Sequence, residues 1–245
     1  MIINLFFSGY DIPTIIYLLI IYVIALTLSF SIHEFMHAVV AVWLGDPTPR
    51  NMGRVTLNPI AHMDPVGTIL LLTAGFGWGK PVMYNPSNLN RFKNHRWMNI
   101  MVHLAGVTGN FMLGIVSMIL GSLFVHLTLA FGDGGFGNAL RALSDVFLYT
   151  YAFSMMLLAF NLLPIPPLDG FHVLQELLPY KVRYSQGYRN FERWSPMIII
   201  GIFFLGYVSR ISILSKLVSI IEWPFEKIIG FIMIPFEMLF SLIGI

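Results

Sequence analysis

The chain has 245 residues, of which 57% are hydrophobic and only 11% carry a formal charge. Soluble domains average about 45–50% apolar and about 25% charged residues, so this composition excludes an ordinary soluble enzyme and predicts several membrane spans. The formal net charge of +2 excludes a strongly basic nucleic-acid-binding protein. Because the chain contains no cysteine, any metal site must use His, Asp or Glu.

Three apolar runs predict membrane-spanning helices. The first run, 12–44, contains Glu34 as its only formal charge, the second run is 99–131, and the third is 146–163. No Lys or Arg precedes the first run, and the run is too long for the core of a signal peptide. We therefore expect it to be a retained transmembrane helix.

Two further apolar runs near the C-terminus are interrupted by charge. The run 197–208 precedes Arg210 and Lys216, and predicts either a full span or a short span with an interfacial piece. The run 225–245 contains three charged residues and predicts a helix that spans the membrane, lies in the interface or re-enters it. We expect a core over 1–170, followed over 171–245 by a cytoplasmic basic segment and C-terminal membrane helices.

Lys and Arg are distributed unevenly among the polar segments. Six lie in 45–98, one lies in 133–145 and four lie in 164–195. By the positive-inside rule, the first and third of these segments are cytoplasmic, and the N-terminus is outside.

The first cytoplasmic segment contains more than a loop. Alternating residues in RVTLN (54–58) and the stretch PVMY (81–84) predict two short strands, and the apolar run 66–76 predicts a shallow re-entrant piece. The predicted fold class is an α-helical polytopic membrane protein. It has a three-helix core, a small cytoplasmic-side β/re-entrant element and additional C-terminal helices.

An HExxH motif, formed by His33, Glu34 and His37, lies inside the first predicted helix. Residues four apart share a helix face, so both imidazoles can bind one metal ion, and Glu34 can take a proton from a metal-bound water. A carboxylate inside a span costs about 3 kcal/mol, which favours a functional reason for its presence. The alternative is a polar cluster that only binds helices together.

Catalytic zinc takes about three protein ligands, so a third ligand must come from elsewhere in the chain. Asp169 is the best placed, because it follows the third span at the membrane face near which the HExxH lies. The prolines of NLLPIPPLDG (161–170) prevent a regular helix and Gly170 permits a tight turn, so the stretch can direct a carboxylate into the bundle. The alternative is a plain turn in solvent. The other candidate ligands are His62, Asp64, His103, His172 and Glu176.

Asn110 lies in the middle of the second span, on a face that also carries Gly106 and Gly114. Small residues let helices approach closely. The amide of Asn110 either bonds a neighbouring backbone or holds a substrate carbonyl or oxyanion.

Together these motifs resemble the site-2 protease family of intramembrane zinc metalloproteases, in the small branch without a PDZ domain. The resemblance extends from Ser31 to Gly170, and one departure is Val107, where relatives often have Pro. The matching stretches are SIHEFMHAVVAVWLGDP (31–47), GRVTLNPIAHMDPVGT (53–68), FGWGKPV (76–82), LAGVTGN (104–110) and NLLPIPPLDG (161–170).

The resemblance implies three helices around one zinc ion, with His33, His37 and Asp169 as ligands and Glu34 as general base and acid. It also implies supporting roles for Asn110 and Asn161 toward the substrate or oxyanion. The ligand types alone would also admit Co²⁺ or Fe²⁺.

By the same resemblance, the protein lies in a prokaryotic cell membrane with its active site toward the cytoplasm. Its partners are the lipid bilayer and a transmembrane or membrane-anchored protein substrate, and it has no nucleic-acid partner. An unwound substrate could pair with the edges of the predicted strands. The expected activity is zinc-dependent peptide hydrolysis in regulated intramembrane proteolysis.

Two other functions fit intramembrane His and Asp residues. A metal transporter needs such ligands, but here the polar residues cluster at one depth instead of crossing the membrane. A catalytically silent relative would bind membrane proteins without cutting them, but the expected catalytic residues are all present.

Overall fold

The computed structural model describes residues 9–74, 77–132, 134–209 and 213–242. These residues are almost entirely helical, which confirms the predicted fold class of a helical polytopic membrane protein. In chain order the helices are α1 (Ile12–Trp43), α2 (Thr48–Asn51), α3 (Pro59–His62), α4 (Pro65–Ala74), α5 (His95–Phe131), α6 (Gly135–Asn161), α7 (Asp169–Leu177), α8 (Tyr180–Arg183), α9 (Gln186–Ser209) and α10 (Ile213–Leu242).

Helices α1, α5 and α6 are long and apolar enough to cross a membrane, as predicted. Helix α1 has 32 residues, which at ~1.5 Å per residue exceeds a ~30 Å hydrocarbon core, so it must tilt or project. Helix α5 begins four residues before the predicted apolar run because the Asn94 side chain caps it, accepting the N–H of Trp97 at 3.4 Å.

The three long helices pack together as one bundle. The most extensive interface joins α5 to α6, and α1 packs against both. One polar contact joins two of the helices directly: Ser29 Oγ and Ser154 Oγ lie 2.9 Å apart between α1 and α6. In lipid there is no hydrophobic driving force between helices, so they associate by close van der Waals packing, which small residues allow.

The segment between α1 and α5 is where the prediction of strands is wrong. The described part of the chain contains no strand, and its sole β contact is an isolated antiparallel bridge between Met63 and Gly79. Side chains capture the backbone of RVTLN: the Asn58 N–H donates to Thr56 Oγ1, and the Thr56 carbonyl bonds His62 Nε2. The predicted re-entrant run 66–76 begins as helix α4, and its last two residues lie outside the described ranges.

The Asp46 side chain, just after α1, forms hydrogen bonds to this segment. Its carboxylate is fully buried, and accepts the Asn85 N–H at 2.6 Å, the Asn88 amide at 2.8 Å and the Thr48 hydroxyl at 2.7 Å. Burial opposes ionisation, but the hydrogen bonds from Asn88, Thr48 and Asn85 outweigh it, so the pKa of Asp46 lies below its usual range. The carboxylate holds the chain after Gly79 close to the C-terminal end of α1.

The C-terminal helix α10 lies lengthwise against α5. The rings of Phe225 and Phe111 are 5.5 Å apart, and farther along both helices Glu237 accepts from Ser122 at 2.5 Å and contacts His126 at 3.1 Å. Residue numbers rise in the same direction in both helices, so α10 runs parallel to α5. The predicted run 225–245 therefore packs along the bundle, and its last three residues lie outside the described ranges.

Candidate metal centre

Three side chains converge at one point inside the bundle. His33 Nε2 and His37 Nε2 are 3.1 Å apart, and each lies 3.2 Å from Asp169 Oδ2. Both histidines are buried, and the Asp169 side chain is 14% exposed. The structure thus brings together the three side chains that the HExxH and the NLLPIPPLDG stretch predict as ligands, in a group that could hold a metal ion.

The distances fit a tetrahedral metal ion. Zinc bonds of ~2.0–2.1 Å place tetrahedral ligand atoms about 3.3–3.4 Å apart, close to the separations of 3.1 and 3.2 Å here. Asp169 Oδ2 is buried and has no hydrogen-bond partner.

A backbone contact fixes the first imidazole. His37 Nδ1 lies 2.7 Å from the carbonyl oxygen of Val102 on α5, so Nδ1 carries the proton and donates. The lone pair of the ring is then on Nε2, which faces Asp169. Metal-binding histidines are commonly oriented by such a bond to a backbone carbonyl.

Asn110 orients the second imidazole. Its fully buried side chain lies 3.4 Å from His33 Nδ1, and Asn110 Oδ1 has no hydrogen-bond partner. Because amide oxygen and nitrogen positions are assigned from the network, a half-turn of the amide places Oδ1 where it accepts the His33 Nδ1 proton. Asn110 Oδ1 and His33 Nδ1 are then paired with each other, and His33 Nε2 keeps its lone pair. Asn110 contacts His33 and is not among the residues that line the cavity, which favours this role over contact with an oxyanion.

Gly106 makes room for both ligands. A Cβ atom on Gly106 would contact His37 Nε2 and would lie 2.6 Å from His33 Cε1. Only glycine therefore lets α5 approach α1 closely enough for the metal centre to form.

Asp169 reaches the centre through the irregular stretch after α6. Helix α6 ends at Asn161, and Asp169 is the first residue of α7. A Cβ on Gly170 would meet the backbone carbonyl of Leu162, so the start of α7 packs directly on the end of α6. The plain solvent turn considered for this stretch is not what the structure contains.

Glu34 lies beside the ligands in a cavity of about 200 Å³ and is 8% exposed. Its Oε2 accepts the backbone N–H of Val82 at 3.1 Å. Asn161 also lines this cavity, although its amide donates to the Leu157 carbonyl of its own helix. The other lining residues are Pro81, Tyr84, Val102, His103, Pro167 and His172.

The remaining ligand candidates have other partners. His62 is fully buried and bonds the Thr56 carbonyl, Asp64 accepts the Gly67 N–H, and Glu176 bonds Asn99 and Arg183. His103 and His172 line the cavity but do not belong to the ligand group.

Sequence reasoning placed Gly106 on a close-packing face but missed its contact with the two histidines, and it missed Tyr84 as a contributor to the site. Gly106 stands four residues before Asn110 on the same helix face, and this spacing could have indicated its contact with the ligands. Tyr84 carried no such signal, because it lies in an irregular stretch.

Comparison with known proteins places the chain in a family. The model of peptidase family M50 matches residues 127–206, which include Asp169 but not the HExxH. YwhC of Bacillus subtilis (strain 168) is 41% identical over 161 residues, which are 66% of this chain and 70% of YwhC. The chain belongs to peptidase family M50.

Membership in family M50, the site-2 protease family, confirms the resemblance drawn from the motifs. Rip2 of Mycolicibacterium smegmatis is 31% identical over 160 residues, which are 60% of this chain and about half of Rip2 (53%). Both relatives carry the name "putative zinc metalloprotease". No solved structure matches the chain significantly. The protein is thus a zinc metalloprotease with membrane helices, and zinc is its cofactor.

Proposed function

We propose that this M50 metalloprotease cleaves transmembrane or membrane-anchored proteins inside the bilayer, near the cytoplasmic face of a prokaryotic cell membrane, in regulated intramembrane proteolysis. The observation that carries the proposal is the position of the three ligand atoms, which are enclosed by helices long and apolar enough to span a membrane. A protease for soluble substrates would gain nothing from this position, which costs free energy for every polar group placed there.

The depth of the site supports the cytoplasmic assignment. His33 and His37 lie in the last third of α1, about 9–15 Å before its end at ~1.5 Å per residue. At that end, the guanidinium of Arg91 lies 4.5 Å from the ring centre of Trp43 and donates to the Trp43 carbonyl. Trp and Arg are typical of the membrane interface, and the adjoining segment 45–98 is rich in basic residues.

In this proposal His33, His37 and Asp169 hold the zinc ion, which lowers the pKa of water and polarises a carbonyl group. Glu34 takes a proton as the water oxygen bonds to the scissile carbonyl carbon, whose π electrons move to the carbonyl oxygen. When these electrons return, the carbon–nitrogen bond breaks and Glu34 gives its proton to the departing amine. Asn110 keeps His33 oriented throughout.

The size of the cavity limits how a substrate can enter. A helix with side chains is about 10–12 Å across, so it does not fit a cavity of about 200 Å³. We infer that the substrate unwinds locally and presents an extended stretch to Glu34.

All proposed ligands and catalytic groups lie within 1–170, which we propose is the protease core. The remaining part, 171–245, supplies the basic segment and α9 and α10. Helix α10 covers the side of the bundle formed by α5 and α6.

A cleavage-site experiment tests this function. Purified protein in lipid vesicles is mixed with single-span test proteins and with a soluble version of one span, and products are mapped by mass spectrometry. We expect cuts within the cytoplasmic half of the span by wild type and none by Glu34→Gln. Cuts confined to the soluble version, or zinc transport across the vesicle membrane without any cut, would contradict the proposal.

A further inference from the structure

The cavity beside the metal ligands has a polar wall that the mechanism above does not use. Tyr84 precedes α5, His103 lies on α5 and His172 lies on α7, yet all three line the same cavity as Glu34. Helix α5 also supplies the neighbouring Val102, whose carbonyl holds His37, so His103 follows directly after a contact to a metal ligand.

The imidazole of His103 is held from several sides. Its Nε2 lies 3.0 Å from the Tyr84 hydroxyl, and the Tyr84 ring meets it edge-on at 5.7 Å. The ring of His172 stacks on it at 4.7 Å with an interplanar angle of 17°. A polar group fixed in this way loses little freedom when it binds a charge, which is the arrangement that makes electrostatic stabilisation effective.

The hydrogen bond from Tyr84 sets the tautomer of His103. Burial and the nearby Glu176 and Asp169 carboxylates raise the pKa of Tyr84, so its hydroxyl stays protonated and can donate. The hydroxyl also lies 3.4 Å from Asn99 Oδ1, but its contact with His103 Nε2 is shorter, at 3.0 Å, and an imidazole nitrogen is the stronger acceptor, so its proton is directed to His103. The proton of the neutral imidazole is then on Nδ1. Among the described residues, His103 Nδ1 has no hydrogen-bond partner, so its N–H is available to a molecule in the cavity.

Peptide hydrolysis needs such a donor, since negative charge develops on the carbonyl oxygen as water adds to the carbon. Glu34 moves the proton, His33, His37 and Asp169 hold zinc, and Asn161 donates within its own helix. We propose that His103 is a further catalytic residue, whose Nδ1–H donates to the carbonyl oxygen of the scissile peptide bond. Tyr84 and His172 are positioning residues that hold its ring. The inference rests on the proposed proteolysis, and the His103 proton is shared with the oxygen but not transferred.

Three variants test this role. His103→Phe keeps an aromatic ring against His172 but has no N–H, so we expect an unchanged zinc content, an unchanged KM and a kcat about 100- to 1,000-fold lower. His103→Asn places an amide N–H near the position of Nδ1, and we expect it to recover at least about tenfold of that loss. Tyr84→Phe should lower kcat by about tenfold, because it only releases the ring. His95→Phe, on the exposed start of α5, is the matched control and should keep wild-type kinetics.

A binding measurement makes the test independent of substrate choice. The probe is a phosphinic pseudopeptide, in which a tetrahedral phosphinate with an anionic oxygen replaces the scissile bond. We expect His103→Phe to lose affinity for this probe by about the same factor as kcat, and to bind the matching uncleaved peptide as wild type does.

Several outcomes would overturn the inference. One is a His103→Phe protein whose kcat and phosphinate affinity are both within about threefold of wild type. The others are an equal loss of kcat in His103→Phe and His103→Asn, and a loss of zinc from His103→Phe. The failure of the proposed function is distinguishable, because it appears as a wild type that cuts no membrane substrate. The phosphinate affinities still decide the role of His103 in that case.

Discussion

Replacing Gly106 by alanine tests whether close helix approach builds the metal centre. The added Cβ would lie 2.6 Å from His33 Cε1 and would also meet His37 Nε2. Ordinary carbon–carbon contacts lie at about 3.5–4.0 Å, so the overlap is about 1 Å. Either α5 moves away from α1 by that distance or both imidazoles rotate away from Asp169.

Metal coordination tolerates displacements of only about 0.2 Å, so a shift of this size should weaken zinc binding. We expect Gly106→Ala to lower zinc affinity by at least about 10- to 100-fold. Displacing the ligands should also lower kcat/KM by at least about 100-fold when zinc is limiting. The assay is metal content of the purified protein, followed by a competitive titration with a zinc chelator.

Gly121→Ala is the matched control for helix packing. Its Cβ would lie 2.7 Å from Leu148 Cδ2, a similar overlap at the interface of α5 and α6 but away from the ligands. We expect both variants to lower the unfolding temperature and only Gly106→Ala to lose zinc. A Gly106→Ala protein with wild-type zinc affinity, or a Gly121→Ala protein that loses zinc equally, would refute the reasoning.

Two further predictions concern the residues that support the site. Asn110→Asp keeps an acceptor for the His33 Nδ1 proton and should retain zinc, whereas Asn110→Leu should weaken zinc binding by about 10- to 100-fold in the same titration. If both variants retain zinc equally and lose kcat equally, Asn110 instead has an oxyanion role. Asp46→Asn should lower the unfolding temperature at neutral pH, because the folded protein favours the charged carboxylate. Since the pKa of Asp46 is lowered on folding, its charged carboxylate stabilises the folded protein fully above pH ~4, and this stabilisation is lost as the pH falls through the lower pKa of the folded state. The unfolding temperatures of wild type and Asp46→Asn should therefore differ at neutral pH and converge only at that low pH.

The helical part of the fold was predictable because each long helix has its own local signal. Apolar runs of sufficient length predicted α1, α5 and α6. Helices α5 and α6 begin four and eleven residues before the predicted runs, because their first turns contain polar residues, and α1 and α6 end one and two residues before the ends of theirs. The path of the chain between α1 and α5 was not predictable from alternation. Its backbone groups are bonded by Thr56, Asn58 and Asp46 side chains, so no ladder of strand hydrogen bonds forms.

The metal ligands were predictable for a similar reason. His33 and His37 belong to one helix turn, and Asp169 stands where proline and glycine interrupt a helix end. The contribution of Tyr84 and the contact of Asn110 with His33 depend on segments distant in sequence, for which the sequence offers no period or spacing. Local sequence patterns therefore predict the ligands of the centre, whereas tertiary packing determines which residues surround them.

The most direct test of the account measures zinc content and cleavage on the same preparations of wild type, Glu34→Gln and Asp169→Ala. Wild type should hold about one zinc ion per chain and cut a membrane substrate, Glu34→Gln should hold zinc but not cut, and Asp169→Ala should lose zinc. If Glu34→Gln cuts at the wild-type rate, or Asp169→Ala holds zinc as tightly as wild type, the roles assigned to these residues are contradicted.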